Sequence, residues 1–125
     1  MFKKILSGFV DQQSKERQAE LYRNLMRREA QIGGGVFGQV PHGMRREFFC
    51  LDEHTWVWHE EWRDSSGKAH IRTTHYDVRP DGLLKSQNGH YQRVGATETK
   101  RFKQAVRLYM QRINREMYNG LLGSY

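Results

Sequence analysis

Thr55-Trp56-Val57-Trp58-His59-Glu60-Glu61-Trp62-Arg63 carries all three tryptophans of the chain. Successive side chains of a β-strand point to opposite faces. Read as a strand, this stretch therefore puts Trp56, Trp58, Glu60 and Trp62 on one side. Val57, His59, Glu61 and Arg63 take the other. One face can found an aromatic core, and the other displays a histidine beside a carboxylate.

Working outward, Asp64-Ser65-Ser66-Gly67-Lys68 suits a type I turn closed by a glycine bulge, and Arg79-Pro80-Asp81-Gly82 suits another. Asn88-Gly89 has the signature of a type I′ hairpin turn. These turns predict strands at 46–52, 55–63, 69–79, 83–87 and 90–94, forming an antiparallel meander of four or five strands. In the implied register Trp62 faces His70, Glu60 faces Arg72, Trp58 faces Thr74 and Trp56 faces Tyr76. Val78 then lies beside Leu84, and Ser86 beside Tyr91. The tryptophan face gathers Tyr76, Val78, Leu84 and Tyr91, while Lys85, Gln87, His90 and Gln92 fall on the polar face. A one-residue slip would exchange the faces, so the register is a strong commitment.

Two helical patterns flank the meander. From Ser14 to Ile32, the residues Leu21, Tyr22, Leu25, Met26 and Ile32 recur at helical spacing, and Gly33-Gly34-Gly35 is expected to cap that helix. Thr97 is the expected N-cap of a second helix running to Asn119 and closed by Gly120. Its stripe is Phe102, Ala105, Val106, Tyr109, Met110, Ile113 and Met117. Two amphipathic helices and a one-sided sheet bury their apolar faces together. The predicted fold is therefore α+β, with both helices packed on the tryptophan face. The predicted organisation is a short amphipathic segment over residues 1–13, one domain over 14–119 and a tail over 120–125.

At 125 residues the chain can bury a core without metals or disulfides. It has no apolar run long enough to span a membrane as a helix. The basic, then apolar start with Phe2, Ile5, Leu6, Phe9 and Val10 is read as a retained segment rather than a cleaved signal. A single cysteine, Cys50, leaves no internal disulfide and suits a reducing, cytoplasmic setting. Set among apolar neighbours, its thiol is expected to be inert.

The net charge of +7 is concentrated at the ends. Residues 1–32 hold seven basic residues against four acidic, and residues 97–125 hold six against two, whereas the middle is balanced at eight each. The excess lies on the helices, through Arg23, Arg27, Arg28, Lys100, Lys103, Arg107, Arg112 and Arg115. Such residues favour an anionic partner and can equally serve as a solvated surface.

Three constellations could carry chemistry. His59 and Glu61 point the same way with His75 diagonal to them, a set suited to a metal or to acid–base work but short of a complete ligand shell. Gly33 to Gly38 lacks the strand–loop–helix context and the lysine of a phosphate-binding loop. The aromatics favour the helix-covered face, which disfavours base stacking on an open sheet. The reading is a non-catalytic, cofactor-free binding protein contacting RNA or an RNA–protein assembly through its helices. The alternatives are a protein-interaction or homodimerisation module using strand 46–52 or the N-terminal segment, and a metal-binding or acid–base protein using His59, Glu61 and His75.

Overall fold

A computed structural model describes residues 12–118 of the chain, with side chains from Ser14 onward. The expected N-terminal segment, Gly120 and the tail lie outside the described residues. Helix α1 (Gln12–Gly34) leads into strands β1 (Arg45–Cys50), β2 (Thr55–Arg63), β3 (Ala69–Arg79), β4 (Gly82–Ser86) and β5 (Tyr91–Arg93). Helix α2 (Ala96–Ile113) follows, ending in a π-helical turn, Asn114–Tyr118. The five strands form one antiparallel sheet in sequence order. The α+β helix–meander–helix reading holds.

The pairing of β2 with β3 matches the expected register at all four positions, Trp56–Tyr76, Trp58–Thr74, Glu60–Arg72 and Trp62–His70. Asp64 fixes it: its carboxylate accepts from the Ser66 and Lys68 amides, and Gly67 takes the left-handed φ of 86° that the bulge needs. The next turn closes one residue tighter than expected. Arg79 pairs with Gly82 and Val78 with Leu83, so Leu83 rather than Leu84 joins the tryptophan face. Leu84 instead pairs with Asp77 and Tyr91 with Ser86, on the opposite side. The slip brings Lys85 beside Tyr76 and carries Lys85, Gln87 and Gln92 to the helix side. Ser86 does pair with Tyr91, but the connecting turn is not type I′. Gly89 has a positive φ of 81° while Asn88 does not, and a type I′ turn requires both.

Helix α2 lies on the tryptophan face. Ala105, Tyr109 and Ile113 are buried against Phe48, the most enclosed large side chain, with Trp56, Trp58 and Phe102 around them. Trp56 meets Phe48 at 5.1 Å and Tyr109 edge-on at 5.2 Å, geometries that add to area burial. Trp62 is not part of this core and stacks on His70 near the far end of the strand. Met110, expected in the stripe, is 59% exposed. Gly95 rather than Thr97 is the N-cap, and no side chain caps it.

Helix α1 meets the sheet at its edge. A Cβ on Gly33 would sit 1.9 Å from the Phe48 carbonyl oxygen, and one on Gly34 would sit 2.0 Å from that of Arg46. The two glycines therefore let a helix backbone rest directly on the outer edge of β1. They are helical residues, not the left-handed cap that was expected. Beyond them, the Arg112 guanidinium donates to the Gly35 carbonyl at 2.9 Å, binding the helix end to α2. Glu29 accepts hydrogen bonds from the Tyr109 and Tyr118 hydroxyls, the Tyr109 one at 3.4 Å. Glu29 and burial together push the Tyr118 phenol up to about 12.

The remainder of α1 leaves much of its apolar face uncovered. Leu21, Tyr22, Leu25 and Met26, expected in the core, are exposed.

Candidate functional site

Between the sheet and the first half of α2 lies a cleft of ≈ 530 Å³. Its floor follows from the register. Arg46 pairs with Glu60 and Phe48 with Trp58, and Glu60 also pairs with Arg72, so the cation–acid–cation row runs beside an aromatic one. Glu98, Arg101 and Phe102 of α2 form the roof, and Phe37, from the segment linking α1 to β1, forms a wall. Trp58 and Phe37 approach with ring centroids 6.1 Å apart.

Glu60 is buried, and each of its carboxylate oxygens accepts from one arginine: Arg72 at 2.8 Å and Arg46 at 3.3 Å. Burial pushes this carboxyl up, but Arg72, a hydrogen bond from Trp58 and the charge of Arg46 together outweigh it and hold the group below its ordinary value. Both arginines also lie over indoles, Arg46 at 5.7 Å from Trp58 and Arg72 at 5.3 Å from Trp62. Glu98 is held similarly, accepting from Lys85 at 2.7 Å and from the Tyr76 hydroxyl at 2.9 Å. Burial and this carboxylate together raise the Tyr76 phenol well above the ordinary range.

Arg101 differs from the other cations of the cleft. Its guanidinium sits 4.6 Å above the Phe37 ring, and among the described residues it has no carboxylate partner. A second hollow shares Phe37 and Arg101 and adds Thr97, Lys100 and Gln104.

The eight helix cations separate into two groups. Lys100, Lys103 and Arg107 occupy positions i, i+3 and i+7, which form one ridge of a helix. All three are exposed, and none has an ion-pair partner among the described residues. Near the other end of α2, Arg112 serves Gly35 and Glu116, and Arg115 also lies beside Glu116. Arg23, Arg27 and Arg28 are exposed on α1, where Arg27 donates to Asn24 at 3.5 Å and the charge of Arg28 is felt by Glu116.

Compared with known protein families, curated proteins and solved structures, the chain matches none.

On the opposite sheet face, His59 is hydrogen bonded to Glu61 through Nε2 and to Thr73 through Nδ1, both at 2.7 Å. The hydrogen bond from His59 is the main cause that lowers the Glu61 carboxyl, and Arg45 adds to it from 3.5 Å. His75 lies opposite Val57, diagonal to His59 as expected. No group of three metal-ligating side chains occurs among the described residues. The Cys50 thiol, which donates to the Asp52 carbonyl, is pushed up by burial and by the charges of Asp52 and Glu29. The edge of β1, a candidate pairing surface, has the Arg46 and Phe48 carbonyls packed against α1. No helix among the described residues is long and apolar enough to cross a membrane.

Sequence reasoning missed Arg101, Arg46, Arg72 and Phe37. Arg46 and Arg72 were legible as neighbours of Glu60 once the register was set. Arg101 directly follows Lys100 and so points about 100° away from it, toward Phe37 rather than along the ridge. Phe37 lies in a segment with no periodicity to place it.

Proposed function

We propose that this chain is a non-catalytic binding protein that contacts RNA through α2. The observation carrying the reading is the ridge of Lys100, Lys103 and Arg107, exposed and uncommitted to carboxylates, beside the equally uncommitted Arg101. Cations without internal partners leave their charge available to phosphate, and phosphate contacts supply most sequence-independent affinity for nucleic acid. The residues span about 10 Å of helix, enough for several neighbouring phosphates of a flexible strand. The His59–Glu61 pair supports a catalytic reading less well. It lies on the central strand β2, on the sheet face opposite the cleft.

The triple charge reversal Lys100→Glu, Lys103→Glu, Arg107→Glu tests this reading on a fluorescently labelled single-stranded RNA. These exposed positions make no core contact, so the melting temperature is expected to stay within a few degrees. Affinity is expected to fall by about 100-fold or more, because three attractive contacts become repulsive. Unchanged RNA affinity in the folded variant would remove α2 as the interface.

A further inference from the structure

We propose that the cleft between Trp58 and α2 is a site for one nucleotide unit, its ring against the aromatic walls and its phosphate on Arg101. The inference rests on the RNA reading for the choice of ligand, and on the cleft's own chemistry for the site. Its volume of ≈ 530 Å³ lies within the range of about 300–1,000 Å³ usual for small-ligand pockets. The walls include two aromatic rings, Phe37 and Trp58, that are only partly buried; Arg101 lies over the first and Arg46 over the second, so a flat guest meets guanidinium planes as well as rings. Such stacking tolerates any base and is the common mode for single-stranded nucleic acid.

Charge makes the guest an anion. The two carboxylates in the lining are each neutralised within the protein, Glu60 by Arg46 and Arg72 and Glu98 by Lys85. Among the described residues Arg101 has no carboxylate partner: its guanidinium lies over the Phe37 ring, and its charge is felt by Tyr76 in the same lining. A guanidinium pre-seated on an aromatic ring loses less freedom when it binds phosphate than one moving in solvent. The adjoining hollow, with Lys100 on its rim, continues from Arg101 toward the ridge. A strand whose one nucleotide occupies the cleft can therefore lead its next phosphates onto Lys100 and Lys103. The same ring-plus-phosphate chemistry would also admit a free nucleoside monophosphate.

Tryptophan fluorescence of the full chain, titrated with AMP at low ionic strength, reads occupancy beside Trp58, with adenosine as the uncharged control. RNA binding is followed in parallel by anisotropy. AMP is expected to quench saturably and adenosine to bind about tenfold or more weakly. Arg101→Ala, at an exposed helical position, is expected to reduce AMP affinity about tenfold or more without changing the far-ultraviolet circular dichroism, and Arg101→Lys to restore part of it. AMP binding that depends on Arg101, with no RNA binding, would uphold the cleft for free nucleotides and end the RNA reading. RNA binding sensitive to the ridge variants, but without AMP quenching, would overturn the cleft site and leave the ridge standing. AMP binding unaffected by Arg101→Ala would also overturn it.

Discussion

At the residue scale, Gly33 and Gly34 decide how α1 is attached. A helical glycine normally costs about 1 kcal/mol relative to alanine, so Gly→Ala inside a helix usually stabilises. Here the sign should reverse. A methyl group at Gly33 would meet the Phe48 carbonyl and the Tyr109 ring, neither of which can retreat without moving β1 or the core. Gly33→Ala is expected to destabilise by about 2–3 kcal/mol in urea unfolding. At Gly35 the nearest atom is the Arg112 guanidinium at 3.3 Å, the far end of a flexible side chain, so Gly35→Ala should change stability much less. Equal effects at both positions would contradict the docking. Glu60 gives a pH signature. Its folded carboxyl holds its proton less tightly than the ordinary glutamate value of 4.5, so the unfolded state takes up the proton first as pH falls. Its stabilisation is complete above that value and is lost as pH drops through the lowered folded value. Glu60→Gln is expected to cost about 1–3 kcal/mol at neutral pH by leaving Arg46 and Arg72 unpaired. It should also flatten the acid limb of the melting-temperature curve relative to the native chain. An identical acid limb in both proteins would show that the charge of Glu60 contributes nothing.

At the element scale, α1 leaves Leu21, Tyr22, Leu25 and Met26 exposed. The homodimer reading takes a second copy as the cover of this stripe. An antiparallel pairing centred on Arg23, whose own side chain points away, sets Leu21 against the other copy's Leu25. The same pairing brings Glu20 within a turn of Arg27. Sedimentation of the native chain is expected to show association at micromolar concentration that Leu25→Glu abolishes; a monomer at all concentrations would leave the stripe without that role. Much of the element structure was legible in the sequence. The strands β2 and β3 and their register followed from strict alternation plus the Asp64–Lys68 turn, because a bulge glycine leaves little freedom in loop length. The register of β4 failed by one residue because Pro80-Asp81-Gly82 suits both a two-residue connection and a bulged one. The exposed stripe failed for a different reason. Periodicity gives the apolar face of a helix, not how much of that face a neighbour covers, and the backbone of α1 touches β1 closely at Gly33 and Gly34.

At the scale of the whole molecule, one tryptophan strand serves two purposes. Trp56 and Trp58 join Phe48, Phe102 and Tyr109 in a core that seats α2. On the same strand, Trp58 and Glu60 form the floor of the cleft that α2 roofs. The candidate site was less legible than the fold because it is assembled from β1, β2, β3, α2 and a loop, and no local spacing reports such a convergence. The basic ridge was visible, while Arg101 and the cleft required the helix to be placed. The central claim is that exposed cations of α2 bind RNA by phosphate contact. The most direct measurement is the affinity of the full chain for a single-stranded RNA across about 50–200 mM salt. With three or four phosphates engaged, log K is expected to fall against log salt with a slope of about −2 to −3. Binding absent at the lowest salt, or an affinity flat across the series, would contradict it.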